Sequence, residues 1–188
     1  MEASAVSGTA PVDPRVERTR DHVLAQARDL LASSGPAAVT YTELAARARV
    51  TRQTLYRHWP TREALFIDLV LERALPAVPA ATGTPEHVVR TFLRSLRDGM
   101  DDPANAAALT ALIAQADHDA TSRAALSGIV EDVRAAVAAA LGSTGSNLDA
   151  EDYARLCGPV LFQRFFARQR VSDQFIDHLV ASWSQSRP

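Results

Sequence analysis

Cysteine occurs once in the 188 residues and lysine not at all. One thiol cannot form an internal disulfide, and a chain without a Cys/His framework has no structural zinc site. Cys157 lies in an apolar stretch, which suits buried packing better than redox chemistry. The sequence therefore points to no metal and no cofactor. Long hydrophobic runs are missing too: Arg, Asp or Glu interrupts each one well before the ~18 residues of a membrane span. Residues 1–11 lack the apolar core of a secretory signal, so the expectation is a cytoplasmic protein with no membrane partner. Alternating β-branched segments are also scarce, which excludes a sheet and leaves an all-α fold.

A hydrophobic share of 47% is enough to bury a real core in one or two compact units. The net charge of −2 argues against a nucleic-acid partner. Its distribution argues otherwise. Residues 40–62 hold Arg47, Arg49, Arg52, Arg57 and Arg62 against Glu43 alone, whereas residues 76–188 carry ten Arg and thirteen Asp or Glu. Arginine also suits bidentate contacts to phosphate and guanine.

Proline, glycine and short polar clusters punctuate Ala/Leu/Arg/Glu-rich segments throughout. Residues 1–13 read as a flexible tail. Asp13 and Pro14 then open a helix that runs to about Ser33, with Val16, Val23, Leu24, Ala27, Leu30 and Leu31 on one stripe and Gly35-Pro36 as its stop. Two very short helices follow. Thr40 and Glu43 have capping-box spacing at the first, and Thr51 caps the second only three residues after Ala48. The two must cross steeply about Arg49 and Val50, with Leu44, Ala45, Val50 and Leu55 turned toward the long helix, as in a helix-turn-helix. The second helix projects Arg52, Gln53, Thr54 and Tyr56 from its first turn and a half. Arg52 can donate to guanine O6 and N7, Gln53 can bridge adenine N6 and N7, and Thr54 can touch a thymine methyl or stay near the packing surface. Thr40, Tyr56, Arg57, His58 and Arg62 suit phosphate oxygens. With the cap Thr51 these form the candidate DNA-binding set, while Trp59, directly before Pro60, reads as core.

Thr40 to Leu65 resembles the DNA-binding signature of the TetR (tetracycline repressor) family: Leu44-Ala45, Val50-Thr51, Thr54-Leu55-Tyr56, then Arg62-Glu63-Ala64-Leu65. The match covers about residues 14–75. Lysine is common in the family where Arg62 stands, and glycine where Arg49 stands, so Arg49 either adopts a left-handed backbone or the turn relaxes. The resemblance implies a dimeric one-component transcriptional regulator, a repressor in the commoner case, that binds a palindromic double-stranded operator and is released by a small effector. It also implies that a connecting helix, residues 62–75, transmits ligand binding by changing the separation of two DNA-reading heads.

Pro76, Pro79, Gly83 and Pro85 mark the clearest boundary, between a head at 14–75 and a body at 76–188 for effector binding and dimerisation. The body reads as five helices: one opened by Thr84-Pro85, one by Asp102-Pro103, one over about 121–141, one over about 150–168 kinked at Pro159, and one after Ser172. The fourth is apolar over more than one face and should pair, with the fifth, against symmetry mates through Leu156, Val160, Phe175, Ile176, Leu179, Val180 and Trp183. Phe92, Leu96, Met100, Leu112, Ile113, Gln115, Phe162 and Phe166 are the candidate pocket residues, suited to an apolar or aromatic effector. No catalytic constellation is legible, because Asp101-Asp102 and Glu131-Asp132 are adjacent and do not converge on one point. The alternative is a ligand-binding or protein-docking helical dimer that has lost DNA binding, with Arg49 as the discriminating residue.

Overall fold

The computed structural model describes residues 14–74 and 83–186, so the expected tail, the Asp13 cap and the Pro76–Pro79 break lie outside the described residues. The described residues form nine α-helices in order: α1 Pro14–Ser34, α2 Tyr41–Ala48, α3 Arg52–His58, α4 Arg62–Ala74, α5 Pro85–Asp101, α6 Pro103–Ala116, α7 Ala120–Gly142, α8 Ala150–Leu161 and α9 Asp173–Gln185. One turn of 3-10 helix, Pro36–Ala38, precedes α2, and Phe162–Phe166 forms a π-helical turn after α8. The described residues contain no strand, as the sequence predicts.

Side chains set the helix starts. Thr40, Thr51, Thr84, Asp102, Asp119, Asp149 and Ser172 each accept a hydrogen bond from the backbone N–H three residues on. Each satisfies a donor that the helix itself leaves unpaired. At α2 only half of the capping box forms, because the Glu43 carboxylate turns away to Arg47 (2.8 Å) and the Thr40 amide donates instead to the Ala38 carbonyl.

Two cores organise the packing. The first joins Leu24 and Leu31 of α1, Leu44 of α2, Leu55 of α3, Trp59, and Leu65, Phe66 and Leu69 of α4, then continues into Ala104, Ala108 and Leu112 of α6. The second joins Val89, Phe92 and Leu93 of α5 with Val137 and Leu141 of α7, Val160 of α8, and Ile176 and Trp183 of α9. Helix α6 is therefore the buttress of the head. Its alanines carry little side-chain bulk, which lets α1 and α4 come close.

Two expected side-chain sets come apart in this arrangement. Leu156, Val160, Ile176, Val180 and Trp183, expected on a dimer seam, are each at most 5% exposed inside the second core, and Phe175 and Leu179 pack half-buried against it. Their stripes face α5 and each other within one protomer. The eight expected pocket residues divide between the two cores and the surface. Phe92 and Leu96 belong to the second core, Leu112 belongs to the first, Met100 is buried and Gln115 half-buried. Ile113, Phe162 and Phe166 are exposed.

The π turn explains the last two. Pro159 has no N–H for the Arg155 carbonyl, so α-helical pairing fails around it. The Phe162 amide reaches the carbonyls of Gly158 and Pro159, the Ala167 amide closes a wide turn on the Phe162 carbonyl (3.0 Å), and Arg168 ends it at φ 55°. Arg164 fixes the turn by donating to the Met100 carbonyl (2.8 Å). Phe162 and Phe166, 58% and 79% exposed, stack on each other outside, with ring centroids 5.8 Å apart.

Candidate nucleic-acid interface

The crossing of α2 and α3 depends on one residue. Arg49 adopts φ 53°, ψ 42°, the left-handed conformation that closes α2, and Val50 N–H bonds the Ala45 carbonyl (3.1 Å). The turn therefore keeps the geometry a glycine would give it, and an arginine there carries about 1 kcal/mol of strain.

Helix α3 is held from behind and at its end. Leu55 and Trp59 are fully buried. The Tyr41 hydroxyl donates to the Trp59 carbonyl (2.5 Å), and the Trp59 indole Nε1 donates to Asp68 Oδ2 of α4 (2.8 Å). Arg20 of α1 reaches that same oxygen at 2.9 Å. Burial first, then the nearby Tyr56 and Glu63, pushes the Tyr41 hydroxyl up to about 12, which keeps it protonated as the donor this contact needs. A second pair of contacts ties α1 to α4, where Arg28 donates to the Leu69 carbonyl (3.0 Å) and to Glu72 (2.6 Å).

What α3 presents outward is Thr51, Arg52, Gln53, Tyr56 and Arg57, all exposed. Tyr56 meets Tyr41 edge-on, with ring centroids 4.7 Å apart. Thr54 is half-buried and its hydroxyl shares a hydrogen bond with that of Thr51 (2.9 Å), which places it on the capping side. Thr40 is exposed, and Arg62 is half-buried over the Phe66 ring and beside Glu63 (3.7 Å). Of the five arginines at 40–62, Arg47 pairs with Glu43 and Arg62 with Glu63. Arg49, Arg52 and Arg57 have no carboxylate within 4.0 Å among the described residues.

A crevice flanks α3 on each side. One, of about 290 Å³, is lined by Thr40, Tyr41, Tyr56, Pro60, Thr61 and Arg62. The other, about 620 Å³, lies between the start of α1 and the α2–α3 turn, with Arg15, Thr19, Arg49, Thr51, Arg57 and His58 among its lining. The expected phosphate contacts thus divide, Thr40, Tyr56 and Arg62 on one flank, Arg57 and His58 on the other. His58 is half-buried, and its Nε2 has no hydrogen-bond partner among the described residues. Burial, reinforced by the charges of Arg57 and Arg20, holds the imidazole below its ordinary value, so the ring is mostly neutral at pH 7.

Sequence reasoning missed Tyr41 and Asp68 as supports, and Arg15 and Thr19 as crevice residues. Asp68 carried a readable signal, a lone carboxylate within the apolar run Leu65 to Leu71. Nothing in the sequence signals the pairing of Tyr41 with a carbonyl eighteen residues away.

Two family models match the chain. One, "Bacterial regulatory proteins, tetR family", covers residues 23–69, and the other, "Tetracyclin repressor-like, C-terminal domain", covers residues 79–182. The HTH-type transcriptional regulator YdeS of Bacillus subtilis is 34% identical over 84 residues, which are 44% of this chain and 42% of that protein. The chain thus aligns with less than half of that relative's length. Among solved structures, the TetR family transcription regulator SCO0332 is similar at TM-score 0.71 and 26% identity, over 91% of this chain and 100% of that one. A TetR-family regulator of Mesorhizobium loti shares the fold at TM-score 0.70 and 19% identity, over 92% and 98% of the two chains. With both family models matching in order, and a helix-turn-helix head followed by the family's C-terminal ligand-binding domain, the chain belongs to the TetR family of transcriptional regulators.

Proposed function

We propose that the protein is a dimeric one-component repressor that binds a palindromic operator through α3 and releases it when a small apolar or aromatic effector enters the C-terminal helical domain. The observation that carries this reading is the exposed set Arg52, Gln53, Tyr56 and Arg57 on a helix whose other side is locked by Leu55 and Trp59. Arg52 and Gln53 leave the first turn of α3, where a helix end in a major groove meets base edges, and the lining of the two flanking crevices, Thr40, Tyr56 and Arg62 in one and Arg57 and His58 in the other, supports phosphate contacts on either side. Thr51 and Thr54 serve as cap and packing side chains close to the DNA.

For the alternative, a helical dimer without DNA binding, Arg49 is the discriminating residue, and its left-handed backbone, which keeps the turn geometry a glycine would give, supports the DNA-binding reading. One recognition helix reads only a few base pairs, so two heads spaced by about 34 Å fit a palindrome. The exposed, stacked Phe162 and Phe166 are the apolar surface from which a second copy gains most, and they replace the buried side chains expected on the seam.

Equilibrium titration of a mixed-sequence duplex over a range of salt tests the reading. Log affinity should fall linearly with log salt, with a slope of at least about −4 if two heads each neutralise several phosphates. A flat response, or no binding at low salt, contradicts it.

A further inference from the structure

The larger crevice beside α3 is lined by Arg15 and Thr19 of α1 together with Arg49, Thr51, Arg57 and His58, and among the described residues no carboxylate lines it. Arg49 is its unusual member. Its backbone holds a left-handed conformation that glycine would adopt without strain, and strained backbone of this kind persists chiefly where the side chain has work to do. Neither Arg49 nor Arg57 has a carboxylate within 4.0 Å among the described residues, and His58, which lines the same crevice, has a buried Nε2 with no partner among them.

We propose that Arg49 is a DNA-contacting residue: its guanidinium, with Arg57 and His58 beside it, holds a phosphate of the DNA backbone on the α1 flank of α3. The proposal rests on the DNA-binding reading above. The ligand chemistry is the pair of non-bridging oxygens of a phosphodiester, which the planar fork of arginine matches in bidentate fashion. The contact fixes register and reads no base, because Arg49 belongs to the turn and not to the outward face of α3.

Two substitutions separate this role from a structural one. Arg49→Gly relieves the left-handed strain and removes the charge, so the thermal midpoint should rise by about 2–4 °C. Affinity for a fixed duplex should meanwhile fall by about tenfold at moderate salt, and the slope of log affinity against log salt should shrink by about 0.9 per head. Arg49→Ala should weaken binding equally without raising the midpoint. A residue serving only the fold would move stability and binding in the same direction. Binding by Arg49→Gly with unchanged affinity and slope overturns this proposal while leaving the DNA-binding reading intact. Failure of the unsubstituted chain to bind any duplex overturns both. Inorganic phosphate, followed through the His58 ring resonances, should bind only weakly; saturable binding that needs Arg49, with duplex affinity indifferent to Arg49→Gly, assigns the crevice to a free anion and overturns the proposal.

Discussion

Arg52 and Arg57 leave the same seven-residue helix, and under the proposed DNA-binding reading they meet a duplex differently. Arg52 is at the first position of α3, and Arg57 lines a flanking crevice. Arg52→Ala should therefore relax preference at one base position, at about 1–3 kcal/mol of lost discrimination, whereas Arg57→Ala should weaken all duplexes alike and reduce the salt slope. Binding to a panel of single-base operator variants separates the two. Trp59 is a residue whose ring and N–H act separately. Trp59→Phe keeps most of the buried ring but removes the donor to Asp68, which retains Arg20. The loss should be about 1–2 kcal/mol, read as a lower denaturation midpoint. Cys157 is buried and its thiol is pushed up to about 12 by burial. Its folded value exceeds the unfolded one, so its stabilising contribution is complete below the unfolded value and is lost as pH rises through the folded one. In the native state at pH 8 the thiol should resist alkylation and react only on unfolding.

Among the elements, the short ones were the more legible. Thr40 and Thr51 mark α2 and α3 because a hydroxyl at each start does specific hydrogen-bonding work, and Thr84-Pro85, Asp102-Pro103 and Ser172 mark α5, α6 and α9 for the same reason. The facing of α6 was not legible. Its alanines are apolar all round, so the pattern names no inward side, and only packing shows Ala104, Ala108 and Leu112 turned to the head. The outward turn of Phe162 and Phe166 was hidden too, since Pro159 announces a break but not the π turn that follows it. Because α6 completes the head's core while packing on α5 and α7, head and body should unfold together. In a Trp183→Phe variant the remaining tryptophan, Trp59, reports the head. Its fluorescence transition in urea should coincide with the far-ultraviolet helix signal, and an earlier Trp59 transition would show the head opening alone.

At the scale of the whole molecule, the sequence suggested a reading head and a separate helical body, whereas the first core continues from α1–α4 into α6, and the side chains expected on a dimer seam are buried within one protomer. Leu156, Val160, Ile176 and Trp183 satisfy any stripe rule for pairing, and apolar periodicity cannot say whether the covering surface belongs to the same chain or to another. The exposed aromatic pair on the π turn gives that question a sharper form. Phe166→Glu alters a side chain that is 79% exposed, so the fold should survive. Sedimentation should then show the dimer dissociating at least tenfold more readily, with operator affinity falling in parallel as the two heads lose their linkage. Unchanged self-association would move the interface elsewhere.

Selection of bound duplexes from a randomised pool at moderate salt, with Arg52→Ala in parallel, tests the central claim most directly. A palindrome whose half-sites lie about one helical turn apart should be enriched, with the preference relaxed at one position of each half-site in the variant. Absence of any enriched sequence, or an identical sequence enriched by both proteins, would contradict that claim.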